Sequence, residues 1–307
     1  MFDIKNYDTF KKIETINKGW SDDKKYYIET VTNGKLLLRI CDMAEYEKKK
    51  NEYEIIKRLA DRGLPVSLPV DFGVCDNGKS VYTLFVWCDG EDAEKVLPNL
   101  TEDEQYSLGV KSGQILKEIH SIPAPAEQED WGTHFNRKAD SKIRLYQDCD
   151  VKIAGDDKII RYIEENRHLL EGREQSFHHG DYHVGNMVIS PQKELYVIDF
   201  NRSDFGDPWE EFNRIVWSAT ASPFFATGQL NGYFNGTPPI EFFSLLAFYI
   251  SSNMLSSIPW AANYSEHDLN IMKNQAKNVL EWFDDMNNPV PTWYKRELNS
   301  SDLQHKS

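Results

Sequence analysis

The spacing of apolar residues changes period once along this chain, and that change restricts it to two unlike parts. Up to about residue 90 the sequence reads mainly as strands. Tyr26–Val31 and Lys35–Ile40 are β-rich runs separated by a turn at Asn33-Gly34. Asn-Gly between such runs is a strong hairpin signal, because both turn positions tolerate positive φ. Glu45–Ala60 reads as a helix stopped near Gly63 and Pro65, and Val81–Trp87 as a further strand. After a polar break at Cys88-Asp89-Gly90 the period becomes helical. Thr101 and Glu104 have capping-box spacing, and Leu108, Ile115, Leu116 and Ile119 share one helical face. Residues 121–157, rich in Pro, Asp and Gly, read as loop with short helix. Met187–Ile189 and Leu195–Ile198 read as short strands, and Pro208 opens a helix expected to reach about Thr220. Pro239–Ser256 and Glu266–Asp285 complete the expected helices, the second capped by Ser265 with Asp268. The expectation is an α+β chain with a small β-rich part, 1–88, and a larger, mainly helical part, 89–307.

Charge narrows the partners. The 307 residues carry a formal net charge of −14, which disfavours a nucleic-acid binder, since phosphate backbones select positive surfaces. Cys41, Cys75, Cys88 and Cys149 form no C-x-x-C pair and read as reduced thiols. No signal peptide is evident, and the longest apolar run, Leu245 to Ile250, falls short of the roughly 20 residues that span a bilayer. A cytoplasmic protein with no membrane partner is expected, a monomer by default because no long heptad or apolar stripe stands out.

The chemistry concentrates in Phe177–Phe200, FHHGDYHVGNMVISPQKELYVIDF. Asp181 precedes Asn186 by five residues, and Asp199 follows at the end of the second short strand. A β-hairpin between Asn186 and Asp199 can bring their oxygens to one metal ion. Magnesium favours such hard ligands, completed by substrate phosphates. Asp181 would then face an attacking hydroxyl. His179 and His183 read as braces of this loop.

H-G-D-x-H-x-x-N followed by I-D-F resembles the catalytic and metal-binding segments of aminoglycoside phosphotransferases, the kanamycin kinase-like family. The logic parallels protein kinases, with H-R-D-x-x-x-x-N and D-F-G. The resemblance implies a two-lobed protein-kinase-like fold with a nucleotide-binding N-lobe and a catalytic, substrate-binding C-lobe. It implies a kinase moving the γ-phosphoryl of ATP or GTP to a hydroxyl, with Asp181 as base and Mg2+ on Asn186 and Asp199. It further implies a phosphate-covering turn with Gly19 and Ser21 at its tip, and a strand cation, Arg39, where Lys is commoner. Glu52 is the expected partner of Arg39, with Glu54 the other candidate, and backbone near Val86 and Cys88 is expected to meet the nucleobase. Asp207, in a G-D-P-x-x-E run, reads as a helix cap, and Asn201 stands where many members have an acid. A polycationic acceptor would need carboxylates, for which Asp204, Glu210 and Glu211 are candidates. Two alternatives stay open: a housekeeping kinase of choline, a sugar, a macrolide or another alcohol, and a nucleotide-binding scaffold without turnover.

Overall fold

The computed structural model describes residues 3–17 and 23–295. Along them run β1 (Phe10–Ile16), β2 (Lys24–Thr30), β3 (Lys35–Asp42), α1 (Tyr46–Asp61), β4 (Pro69–Cys75), β5 (Ser80–Val86) and β6 (Glu91–Asp92). Next come α2 (Ala93–Val96), α3 (Glu102–Ile119), α4 (Trp131–Asp148), α5 (Asp156–Glu165), β7 (Ser176–His178), β8 (Met187–Ile189) and β9 (Leu195–Val197). The chain continues with β10 (Asp204–Gly206), α6 (Ile215–Ala221), α7 (Pro223–Phe234), α8 (Ile240–Ala262) and α9 (Glu266–Trp282). An N-terminal β-rich unit and a mainly helical C-terminal unit result, as in protein kinases.

The first unit combines residues up to Ala93 with Asn186–Ser203. Its antiparallel sheet has the order β1-β2-β3-β5-β4. The expected turn is present, with Asn33 at φ 62°. Alternation along the strands turns Ile28, Leu38, Ile40, Tyr82 and Leu84 inward, onto Ile4 and Cys75. α1 buries Ile55, Ile56 and Leu59 and packs on β4 and β5. It ends where Gly63 takes φ 81°, with Gly63 N–H donating to the Ala60 carbonyl. β8 pairs with both β6 and β9, and Ser67 N–H donates to the Val197 carbonyl. These bonds draw 186–203 into the first unit. The boundary expected after residue 88 accordingly falls after Ala93, and the first unit is built from two stretches of chain.

The second unit combines Glu94–Gly185 with the residues from Asp204 onward. Its core helix is α8, in which Phe242, Leu246, Phe248, Ile250 and Leu255 are all fully enclosed. By length and composition α8 could cross a membrane, but it is apolar all round because α4, α5 and α9 surround it. α3 and α7 meet backbone to backbone through Gly109 and Gly113 on one helix and Gly228 and Gly232 on the other. A Cβ added at Gly109, Gly113 or Gly232 would lie 2.1 Å from a carbonyl oxygen of the facing helix.

Both expected caps form. Thr101 and Glu104 make a full capping box, and Ser265 accepts from Asp268 N–H. Three expectations need correcting. The stretch 121–157 is not mainly loop, since α4 fills eighteen of its residues. Asp130 caps α4, and Trp131, Phe135, Ala139, Ile143 and Tyr146 form its buried stripe. After Pro208 the chain makes a 3-10 turn, Glu210–Arg214, before α6. α8 continues to Ala262 instead of stopping near Ser256, since Ile258 and Ala261 still find core.

Candidate functional site

In the first unit the β8–β9 hairpin delivers Asn186 and Asp199. Ile198 N–H donates to the Asn186 carbonyl at 3.0 Å, so the residue before Asp199 is tied to Asn186. Asp199 itself has φ 66°, a conformation costly for a non-glycine residue. That kink sets its carboxylate against cations. Oδ1 lies 2.8 Å from Arg39 Nη1, and Oδ2 lies 3.6 Å from Lys25 Nζ. Lys25 and Arg39 are register partners across β2 and β3, which places both charges on one patch of sheet.

Arg39 is 7 % exposed and does not rely on Asp199 alone. Its Nε and Nη2 reach Asp23 Oδ2 at 3.1 and 3.0 Å. Burial opposes its charge, but Asp199 and Asp23 outweigh burial and raise its affinity for the proton. The same Asp23 oxygen takes Lys49 Nζ at 3.2 Å. Lys49 also meets Glu52 Oε2 at 3.4 Å and donates to Asn201 Oδ1 at 2.6 Å. Glu52 thus pairs with Lys49, three residues earlier on α1, while its charge also acts on Arg39. Burial lifts the Glu52 carboxyl above the usual range in spite of both cations. Three cations and three acids interlock here. Asp23, Lys25 and Lys49 were not anticipated from sequence, although Lys49 shares a helical face with Glu52. Asn201 fills its place as the acceptor for Lys49. The predicted Gly19 and Ser21 lie outside the described residues. Val86 N–H donates to the Leu68 carbonyl at 2.8 Å, and Trp87 N–H to the Lys35 carbonyl at 3.0 Å. Cys88 is half-buried beside them.

In the second unit the loop after β7 carries Asp181. Gly180 turns the chain at φ 84°, and its N–H donates to both oxygens of Glu211 at 3.0 and 3.1 Å. His179, fully buried, accepts from Asp181 N–H at 3.3 Å. His183 Nδ1 accepts from Gly185 N–H at 3.1 Å, which assigns its neutral-ring proton to Nε2. That Nε2 lies 3.6 Å from Asp181 Oδ1, and Arg214 Nε lies 3.4 Å from the same oxygen. Tyr182, fully buried, donates to the Ser112 carbonyl on α3 at 2.7 Å. The carboxylate is therefore positioned from two sides, and its loop is pinned from beneath. Arg214, too, was not anticipated.

The acids proposed for a polycation are mostly engaged internally. Glu211 is 2 % exposed, and His120 Nε2 lies 3.7 Å from it. Burial opposes its charge, but His120, His178 and His179 outweigh burial and hold its carboxyl down at about 2. Glu210 lies 3.5 Å from Lys138 Nζ and 3.9 Å from His178 Nδ1. Asp204 is exposed and lies 3.4 Å from His178 Nδ1. His178 is buried, which disfavours its charge, yet Asp204, Glu211 and Glu210 together raise it to about 9. Asp207 caps at Trp209 N–H and goes further. Fully buried, it takes Arg173 at 2.7 and 2.9 Å and the Tyr249 hydroxyl at 2.6 Å.

Asn186 and Asp199 suit magnesium, being hard oxygen donors on one hairpin, and the cations around Asp199 suit the phosphates of its usual companion. Among the described residues, the one grouping of three potential metal ligands is elsewhere, at Asp3, Cys75 and Asp76. There the Asp3 carboxylate accepts from the N–H groups of Asp76 and Asn77, closing the turn after β4.

A family model described as "Phosphotransferase enzyme family" matches residues 12–243. No curated protein sequence matches the chain. Solved structures of similar fold include a thermostable mutant of aminoglycoside phosphotransferase APH(4)-Ia, 16 % identical with a TM-score of 0.66, covering 91 % of this chain and 97 % of that one. Amicoumacin kinase hAmiN, in complex with AMP-PNP, Ca2+ and Ami, is 12 % identical with a TM-score of 0.63, covering 91 % and 90 %. Spectinomycin phosphotransferase APH(9)-Ia, in complex with ADP and spectinomycin, is 14 % identical with a TM-score of 0.57, covering 87 % and 89 %.

Proposed function

Since this chain belongs to the phosphotransferase enzyme family, we propose that it transfers the γ-phosphoryl group of ATP or GTP to a hydroxyl of a small molecule. The observation that carries the reading is the Asp199 carboxylate, kinked out of ordinary backbone to meet Arg39 and Lys25 on the hairpin that also presents Asn186. A residue held at such cost beside two cations fits a phosphate-binding site better than a plain hairpin end.

In this reading Arg39 and Lys25 receive phosphate oxygens, and Asp23, Lys49 and Glu52 fix Arg39 from behind. Magnesium, when held by Asn186 and Asp199, would neutralise charge on those oxygens. Val86 N–H is taken by the Leu68 carbonyl, so a base edge would use another backbone group of this stretch. Asp181 orients the acceptor hydroxyl and takes its proton as the oxygen attacks phosphorus. The bond from the γ-phosphorus to the β–γ bridging oxygen breaks, and a nucleoside diphosphate leaves. His183 and Arg214 keep the Asp181 carboxylate aimed during that exchange. Little covalent chemistry falls to the protein; positioning and charge do most of it.

A polycation would need acids free to receive it, and Glu210 and Glu211 already answer Lys138, His178 and Gly180. Aminoglycosides are thus one class of acceptor among small alcohols, not the defining one. The test is release of NDP with magnesium and ATP or GTP across a panel of alcohols, with Asp181→Asn as the blank. Acceptor-dependent release lost in the blank supports the reading. Nucleotide binding with no release on any alcohol would favour the scaffold alternative. A cytoplasmic monomer remains part of the proposal, checked by fractionation and by light scattering.

A further inference from the structure

We infer that the acceptor alcohol carries an anionic group, a carboxylate or phosphate, seated in the basic pocket along α4. This rests on the reading of Asp181 as the base, and it replaces a polycation with the opposite charge.

The pocket has a volume of about 480 Å³ and is lined by His134, Arg137, Lys138, Ser141, Lys142 and Arg144. No acid is among its lining residues, in a chain whose net charge is −14. Helical spacing explains the concentration. Positions 134, 137, 138, 141, 142 and 144 fall on one side of α4, flanking the stripe that faces α8. Some of these cations are answered. Arg137 makes two bonds of 2.7 Å to Glu129, and Lys138 lies 3.5 Å from Glu210. Lys142 and Arg144 have no ion pair among the described residues. Lys142 has only the face of Phe135, 5.8 Å from its ring centre. Burial and the nearby charge of Lys138, only partly offset by Glu210, push Lys142 down to about 7. An ammonium placed among like charges gains from a further anion beside it.

The pocket is joined to the Asp181 loop inside the same unit. Lys138 answers Glu210, the first residue of the 3-10 turn whose last residue is Arg214. Arg214 in turn holds Asp181. A small molecule anchored by its anion at Lys142 would therefore lie on the side of the loop from which Arg214 approaches. The acids that could oppose such an anion, Glu210 and Glu129, are each already neutralised by a cation of the same pocket.

Two arms test this on the full-length chain. In the first, kcat/KM is measured for alcohols differing only by an anionic group, serine against ethanolamine and glycerate against ethylene glycol, with kanamycin alongside. The anionic member is expected to be favoured at least about tenfold, the scale of one charge-assisted contact. Lys142→Met should bring that ratio close to one. A preference for the neutral or cationic member, or a ratio untouched by Lys142→Met, overturns the inference. The second arm does not need turnover. Acylation of Lys142 by an amine-reactive ester is followed by peptide mass spectrometry with inorganic phosphate or with chloride at equal ionic strength. Slower acylation in phosphate alone supports the anion site, and equal rates refute it. Protection without any acceptor turnover would leave the site standing and sink the phosphotransfer reading instead.

Discussion

Gly113→Ala on α3 should cost both stability and activity, in different proportions. The new methyl carbon would sit 2.1 Å from the Gln229 carbonyl oxygen and 2.6 Å from Tyr233 N, both backbone atoms of α7. Side chains could rotate away from such a contact; two helix backbones cannot. Real Cβ atoms do not approach within 3.0 Å, so the helices must part by about 1 Å. Overpacking a tight core costs roughly 1–3 kcal/mol, and alanine regains about 1 kcal/mol of helix propensity. Because the clash is with rigid backbone, the net loss is expected at about 2 kcal/mol, a fall in Tm of about 3 °C for 307 residues. The residue before Gly113 is Ser112, which anchors Tyr182, the neighbour of Asp181. Displacing α3 therefore drags the Asp181 loop, and a misplacement of about 1 Å can cost on the order of 10²-fold in rate. Thermal melts and steady-state turnover on the best acceptor measure the two effects. Gly78→Ala is the control, since nothing lies within 4 Å of it and only its φ of 84° is strained. A Gly113→Ala protein that melts at or above the wild-type temperature would refute the reasoning, because helix propensity would then outweigh the contact.

Other outcomes follow from the site. Asp181→Ala should lower kcat by about 10²–10⁴-fold while leaving nucleotide affinity, read by calorimetry, near wild type. Lys49→Met removes one cation from three partners and should destabilise by roughly 3–5 kcal/mol in urea melts. Lys49→Met with Glu52→Met should recover part of that loss, and a double variant no better than the single would count against the pairing. His178 has a folded-state pKa of about 9, above its ordinary 6.5. Its contribution is full below about pH 6.5 and fades as pH rises through about 9, by up to about 3 kcal/mol. The stability gap between wild type and His178→Asn should narrow over that interval, and a constant gap would show that His178 does not titrate there.

The sequence was most legible where chemistry is local. Asp181, Asn186 and Asp199 lie within one stretch of chain, and the structure places Asn186 and Asp199 on the hairpin that their spacing implied. Strands β2, β3 and β5, α1 and the caps at Thr101 and Ser265 were also readable from turn and cap chemistry, whereas the bounds of β1 and β4 were not. α4 was not, because its stripe of Trp131, Phe135, Ala139, Ile143 and Tyr146 is diluted by the charged residues that form its other side. α7 shows no amphipathic period, since Thr227, Gln229 and Asn231 are buried along with its apolar residues. Tertiary ion pairs are invisible in principle to a linear reading. Arg39 and Asp199 stand 160 residues apart, and only the folded hairpin joins them. The fate of Glu211 was hidden likewise, because nothing in the sequence says that its carboxylate caps the turn of Gly180.

The interleaving of the two units governs how the protein can be made and divided. As the chain leaves the ribosome, the five-stranded sheet is complete after Val86, but β6 has no partner until Met187 emerges. Until then Arg39 also lacks Asp199, so a buried cation loses one of its acids through the synthesis of α3, α4 and α5. The first unit is therefore finished only after much of the second has been translated. No single cut separates the two, since any cut leaves at least one of them in pieces. Recombination at one crossover cannot exchange one unit and spare the other: a crossover between Asp92 and Asp181 keeps the Asn186–Asp199 hairpin with Asp181 and parts it from Arg39 and Lys25.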